Sequence, residues 1–475
     1  MKGRFELTAE PLDLARDAFG QEPVLWCMKG GEVWVAPTLR ELREMGAPFG
    51  QLDRDALSDY LELGYVPAPL TLWSNIRKLP AGSTLSLGID LEEMRLSTLP
   101  LPGSGQKRPS RIAVRGRLEE AVRRALKGVA QPAALLGSDV PSAALVALMT
   151  RASGRVRTFS VAFGADDEER LEPARRVAAR FRSDHRQIRV LVAPAQDGPQ
   201  ALSACGEPHA HGELVLLHAA LRAVARETDL LLTADGADEL FAGHPRYQRA
   251  ARLPRLRRTG RATELLRLIA PRRHRGRLQR AGTALQHSGA PRARSLVEIF
   301  SADERQALLG AAARVAQHGA AEGLEGADAA LAWDLEFGLP DSALAGLGAV
   351  AAAARVELRP AFLDEALARA VVPAPVRHKL GRRHGNRLLR EAVADLLPRD
   401  LLAMRWRRPE APVGAWLRGP LRPMLQDLVR APSARIRTLL DPRAIDLALS
   451  HSLGPGGEGR QAWSLFALEL WARAR

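Results

Sequence analysis

The chain has 475 residues, 46% hydrophobic and 26% charged, which supports a soluble globular protein of two or three domains. Its formal net charge is +15, and only six of the 69 basic residues are lysine. That balance fits a nucleic-acid or acidic-peptide partner, or simply the arginine-rich coding of a GC-rich genome. Two cysteines, Cys27 and Cys205, exclude a disulfide framework and fit a reducing cytoplasm. The start, "MKGRFELTAEP", has no apolar core and is not a signal peptide. The uncharged run "SALAGLGAVAAAA" (342–354) is too short for a bilayer and reads as a buried helix, so no membrane is expected.

Taken in chain order, the first hundred residues read as β-rich. "VLWCMKGGEVWVAP" predicts a hairpin turning at Gly30 and Gly31. "LDRDALSDYLELGYV" predicts a helix with Asp53 or Asp55 near its start, and "LPAGSTLSLGIDLEEMRLSTL" a second hairpin. The stretch "LPLPGSGQKRPS" (99–110) has linker composition.

The rhythm then changes to helix and strand in turn. Strands are expected at 133–136, 156–163, 185–191 and 229–234, with helices between them. This alternation implies a parallel sheet covered on both faces, which binds ligands at the carboxyl ends of its strands. Residues 250–295 are dense in arginine but poor in aromatics, so a solvated helical insertion is favoured over an RNA or acidic-peptide surface. The remainder, 296–475, reads as mostly helical.

Two strand-end loops carry the chemistry. In "TADGADELFAGHPRY" (233–247), Asp235, Asp238 and Glu239 follow a buried strand directly. Carboxylates there suit Mg²⁺, or cap a helix. Gly236 and Gly243 allow sharp turns. In "LLGSDVPSAALVALM" (135–149), an apolar strand meets a helix through a loop with one glycine, an aspartate and a proline.

The first of these loops resembles the signature S-G-D-G-[AG]-D-E-L-F-x-G-Y of the asparagine synthetase family, ungapped over a dozen positions. "GQEPVLW" with Arg16 and Asp17, "LGYVPAPLTLWSNIRKLPAGSTL", "TFSVAF", "VELRPAFLDEAL", "NRLLREA" and "PVGAWLRGPL" resemble other family blocks in the same order. The resemblance implies an α/β fold: a parallel-sheet ATP-pyrophosphatase domain with a helical C-terminal part, after a truncated β-rich glutaminase-like region. The corresponding division is 1–100 for the glutaminase-like remnant, 101–110 for the linker and 111–475 for the synthetase domain. The implied reaction is ATP-dependent amide-bond formation: a carboxylate is adenylated and an amine displaces AMP. Relatives include β-lactam synthetases and lasso-peptide cyclases.

The resemblance also assigns residues. It implies ATP contacts at Ser142, at Ser160 and Val161 (the adenine strand), and at Ala234, Asp235 and Gly236. It implies Mg²⁺ at Asp238 and Glu239, and catalytic roles for Asp238 and Glu357, with Arg359 and Asp364 kept from the same block.

Departures run against that chemistry. The family loop S-G-G-x-D-S aligns with Gly137–Ser142, where Ser138 and Asp139 replace glycines and Pro141 replaces a metal-binding aspartate. A carboxylate near 4 Å from pyrophosphate costs about 4 kcal/mol at a surface-like dielectric. Pro141 removes an N–H donor yet suits a first helical turn. The family's Lys, Asp, Arg and Ser fall on Gly346, Gly348, Ala349 and Ala351. A later lysine falls on Asn386, and K-R-G-F on "WRRP" (406–409). Lys2 follows Met1 where a nucleophilic cysteine is expected, so no glutamine hydrolysis is expected; Cys27 reads as core.

His209, His211 and His218 lie close in sequence without a matching fourth ligand, and Glu207 and Pro208 match a family stretch at the pocket mouth. His185 reads as packing, and Trp406, Trp416, Trp463 and Trp471 as core or interface anchors. Three functions stay open: a ligase acting on a small carboxylate or a peptide; a catalytically inactive member serving as partner subunit or homo-oligomer; and a leader-peptide or RNA-binding module using 250–295. Nucleic acid is not the expected partner.

Overall fold

The computed structural model describes residues 2–475 except 9, 90–91, 97–98, 106, 165–166, 257–290, 292–293, 311–318, 320, 382–383 and 404–409. The N-terminal hundred residues form two antiparallel sheets. One has the order β1-β4-β3-β5, from Gly3–Glu6 (β1), Leu25–Lys29 (β3), Glu32–Ala36 (β4) and Arg77–Lys78 (β5). The other has the order β2-β6-β7, from Leu12–Ala15 (β2), Ser83–Leu87 (β6) and Glu92–Leu96 (β7). Both expected hairpins are present. Gly30 and Gly31 take φ +59° and +82°, the left-handed pair that a two-residue hairpin turn demands. Cys27 is a core residue of β3, and burial pushes its thiol up to about 11.

The helix Arg54–Leu63 starts at Asp53, whose carboxylate accepts from the Asp55 and Ala56 amides. It stops at Gly64, φ +83°. A buried ion pair then ties the N-terminal sheets to the larger part. Arg16 Nη1 lies 3.0 Å from Asp341 Oδ1, and Asp341 Oδ2 accepts from the Ala68 amide at 2.7 Å.

Residues 111 onward build a five-stranded, wholly parallel sheet of order β10-β9-β8-β11-β12. The strands are Ala133–Leu135 (β8), Arg157–Ala162 (β9), Asp184–Arg189 (β10), Leu230–Thr233 (β11) and Glu357–Pro360 (β12). The chain runs outward from β8 to β10, then returns to place β11 on the other side of β8. Strand order therefore reverses between β8 and β11, where such sheets open a crevice. Val140–Met149 of the following helix are all buried, each Leu-sized side chain stabilising the fold by roughly 2 kcal/mol.

The 296–475 region is mostly helical, as expected, with one strand, β12, that completes the sheet; its four residues E-L-R-P lack the apolar run that marks a strand. Two expectations need correction. The sheet is not covered throughout, since edge strand β10 is mostly exposed and carries charge. The run 342–354 is part of a longer helical stretch, Gly326–Ala354, of 29 residues. That stretch is long and apolar enough to cross a bilayer, but 50% of its apolar window is buried within the fold. Its middle, Asp334–Leu344, is a π-helix containing Pro340. Of the arginine-rich segment, 257–290 and 292–293 lie outside the described residues, as do Trp406 and the rest of "WRRP"; Arg294 is buried rather than solvated.

Candidate functional site

Loops 137–142 and 234–243 flank the crevice between β8 and β11. The first is folded onto itself. Asp139 caps the helix Val140–Ser153, its Oδ1 accepting from the Ser142 amide at 2.8 Å. Pro141 sits in the first turn, where its missing N–H costs nothing. Ser142 Oγ accepts from the Gly137 amide at 3.1 Å, closing the turn from the other side. A Cβ on Gly137 would stand 2.7 Å from Asp139 Oδ2, so the carboxylate lies directly against the loop backbone. Ser138 Oγ donates to the Arg170 carbonyl. The Ser142 amide at this helix start, of the kind that attracts a phosphate, already holds a carboxylate.

Ser160 is fully buried and donates to the Leu136 carbonyl at 2.6 Å, fastening β9 to the end of β8. Val161, next to it, is half-buried. Past β11, Ala234 and Asp235 lead to Gly236, whose φ of +82° turns the chain into the short helix Ala237–Leu240. A side chain at Gly236 would collide with Leu363.

The two carboxylates expected to share a cation meet different partners. Asp238 Oδ1 accepts from Asn386 Nδ2 at 2.7 Å, and a Cβ on Gly243 would strike both of those atoms. Glu239 is buried with its Oε1 2.8 Å from His244 Nε2. Beneath this loop, Arg246 pairs with buried Asp334 at 2.7 Å. Among the described residues, no three His, Cys, Asp or Glu side chains gather as a metal-binding set.

Arg390 went unnoticed in the sequence. It lies on the helix Arg387–Ala392, four residues after Asn386, and its Nη1 donates to the Leu402 carbonyl. Burial lowers its pKa, opposed by the charges of Asp238 and Asp139, so it stands within electrostatic reach of both loops. Its Nε donates to the Gly385 carbonyl at 2.9 Å.

Glu357 is not brought to this crevice. It begins β12 in register with Leu230, while the carboxyl ends of the two strands are Pro360 and Thr233. Its exposed carboxylate pairs with Arg359 Nε at 2.6 Å. Asp364 also turns elsewhere, capping the helix Glu365–Val371 and forming a two-point pair with Arg124. The structure therefore removes Glu357 from the set around Asp238, because strand register places it at the opposite end of the sheet.

The histidines separate into two groups. His209 Nδ1 and His211 Nδ1 are 3.3 Å apart, with His209 Nε2 3.1 Å from the Ser342 carbonyl. Burial, helped by neighbouring His211, pulls His209 down to about 3. It lines a cavity of about 40 Å³ with Tyr65, Lys78, Glu207, Asp341 and Gly346. Lys78 and Glu207 pair there at 2.9 Å. His218 lies apart on the helix Glu213–Val224. His185 Nδ1 is 2.9 Å from Thr158 Oγ1, consistent with a packing role. Trp416 and Trp463 are core neighbours 6.0 Å apart.

The family model for asparagine synthase matches residues 113–473, and that for a glutamine amidotransferase domain matches 5–96. The chain is 26% identical to a putative glutamine-hydrolysing asparagine synthetase of Mycobacterium tuberculosis (strain H37Rv), over 98% of this chain and 75% of that protein. The Mycobacterium bovis protein of the same description gives the same figures. Glutamine-hydrolysing asparagine synthetase 1 of Bacillus subtilis is 21% identical, over 96% of this chain and 74% of its own length. Two sheets in front, a parallel sheet with a strand-order reversal behind, and a family match across 113–473 lead to one conclusion: this chain belongs to the asparagine synthase family.

Proposed function

We propose that this chain keeps the scaffold of an ATP-dependent amide-bond-forming ligase but has lost carboxylate adenylation, and that it serves as a partner subunit in peptide or natural-product biosynthesis. The family suggests the ligase architecture and its use of ATP and Mg²⁺. One observation carries the loss: Asp139 Oδ1 accepts from the Ser142 amide at 2.8 Å, taking the anion position at the helix start. The residues present do not fit the nucleotide. Its phosphates would meet a carboxylate, Pro141 supplies no metal ligand, and Asp238 and Glu239 are engaged by Asn386 and His244.

A second reading, an active ligase for a small carboxylate or a peptide, draws on Asp238 and on Arg390, which feels the charges of Asp238 and Asp139. ATP–pyrophosphate exchange with a panel of amino-acid and peptide carboxylates decides between them. The expected result is no exchange above background and no thermal stabilisation by ATP–Mg²⁺. Exchange with any carboxylate establishes the second reading. A leader-peptide or RNA-binding role for 250–295 draws only on charge and falls almost wholly outside the described residues.

A further inference from the structure

Five charged side chains are enclosed where the helix Arg54–Leu63 meets the segment 294–305. Arg294, Arg305, Asp59, Glu62 and Glu298 are each at most 9% exposed. Glu62 Oε2 is the hub, 2.5 Å from Arg294 Nη2 and 2.9 Å from Arg305 Nη2. Arg294 Nη2 also reaches Asp59 Oδ1 at 3.6 Å, and Arg305 Nη1 reaches Glu298 Oε1 at 3.4 Å. Among the described residues, Asp55 on the same helix and Glu304 on the helix Ala302–Leu309 add negative field. From the C-terminal helix, Gln461 donates to Glu304 and to the Ile299 carbonyl, and Arg460 to the Val297 carbonyl. Tyr65 lies within the field of Arg294.

We propose that this cluster is a proton-linked latch: among the described residues three enclosed carboxyl groups face two guanidiniums, one proton completes the balance, and its loss loosens segment 294–305 from helix 54–63. Burial is the first cause of the retained proton, and repulsion from Glu62 adds to it. Asp59 and Glu298 are both raised to about 7, against the pull of Arg294 and Arg305. A bare third carboxylate in this enclosure would be an unpaired buried charge.

The latch connects to the rest of the fold through the backbone. The Ile299 amide donates to the Glu62 carbonyl at 2.7 Å, and the Ala210 amide to the Gly64 carbonyl at 2.7 Å. A Cβ on Gly64 would lie 2.8 Å from Ile299 Cδ1 and 3.0 Å from Ala210 Cβ, so the three segments touch at this glycine. Loosening at Glu62 thus acts beside the wall that carries His209. The latch is independent of whether the crevice binds a nucleotide.

The sign follows from linkage. The folded-state pKa values exceed the unfolded ones, so the native chain carries the extra proton between the two. Its stabilisation is complete below about pH 4 and is lost as pH rises through about 7. The test uses the full chain, as wild type, D59N, E298Q and D59N/E298Q, in denaturant titrations from about pH 5 to 8.5. Relative to the double variant, the wild-type unfolding constant is expected to rise up to tenfold per pH unit between about pH 5 and 7, then level off. Amide exchange at Ile299, corrected for its intrinsic rate, is expected to grow over the same range. Parallel wild-type and variant curves would overturn the proposal. Infrared spectra of the wild type give a variant-free readout: a protonated carboxyl band present near pH 6 and absent near pH 8.5 supports the latch. Ionised carboxylates at both pH values refute it.

Discussion

Loops 137–142 and 234–243 sit side by side at the same end of one sheet, yet they have fared differently. The loop after β11 keeps most of its family sequence, differing at Thr233, Ala234 and His244, and its shape depends on contacts with distant chain, above all Asp238 with Asn386. The loop after β8 has changed at most positions, yet it is closed by its own residues: Asp139, Ser142 and Gly137 satisfy one another within six positions. A helix start needs an acceptor for its first amides. A bound phosphate meets that need in a nucleotide enzyme, and here a side chain does. On the proposed reading, this loop keeps its fold without a phosphate because Asp139 satisfies a backbone group at the helix start.

The largest test of this contrast is Gly243→Ala. Its Cβ would overlap Asp238 Oδ1 and Asn386 Nδ2, and a loss of roughly 3 kcal/mol in denaturant unfolding is expected. Little change would mean that the second loop is not held by those contacts. Asn386→Ala strips a charge-assisted hydrogen bond from Asp238 and should cost about 2 kcal/mol.

Asp139→Ala should cost about 1 kcal/mol, the usual loss for a helix cap. Its sharper readout has the opposite sign: pyrophosphate should stabilise this variant and not the wild type, by thermal shift. Equal shifts in both proteins would show that Asp139 does not hold the anion position. Ser160→Ala removes one neutral bond to the Leu136 carbonyl and should cost about 0.5 kcal/mol. A loss several times larger would mean that β9 does more than close the sheet.

What was legible in the sequence was local. The Gly30-Gly31 turn, the Asp53 cap and the apolar strand before Thr233 each depend on neighbours a few positions away. So did the altered loop at 137–142, although the sequence framed Asp139 as repelling a ligand and not as a cap. What stayed hidden was pairing over distance. Asn386 could be seen as a lost lysine, but not as the partner of Asp238, 148 positions earlier. Strand β12 lacked an apolar run because its place is fixed by β11 alongside it. The same register carries Glu357 away from the crevice, which residue type could not reveal. His244 stands where the family signature has tyrosine, and its bond to buried Glu239 needed the fold to be seen.

The ion pair of Arg16 with Asp341 has a consequence for how the molecule can be taken apart. Both side chains are almost wholly shielded from water, with 0% and 1% of their surface exposed, and each comes from a different half of the chain. Cutting between the halves would strand a guanidinium in one fragment and a carboxylate in the other, each stripped of its counterpart. The two family-matched regions should therefore be purified, mutated and transplanted only as one piece.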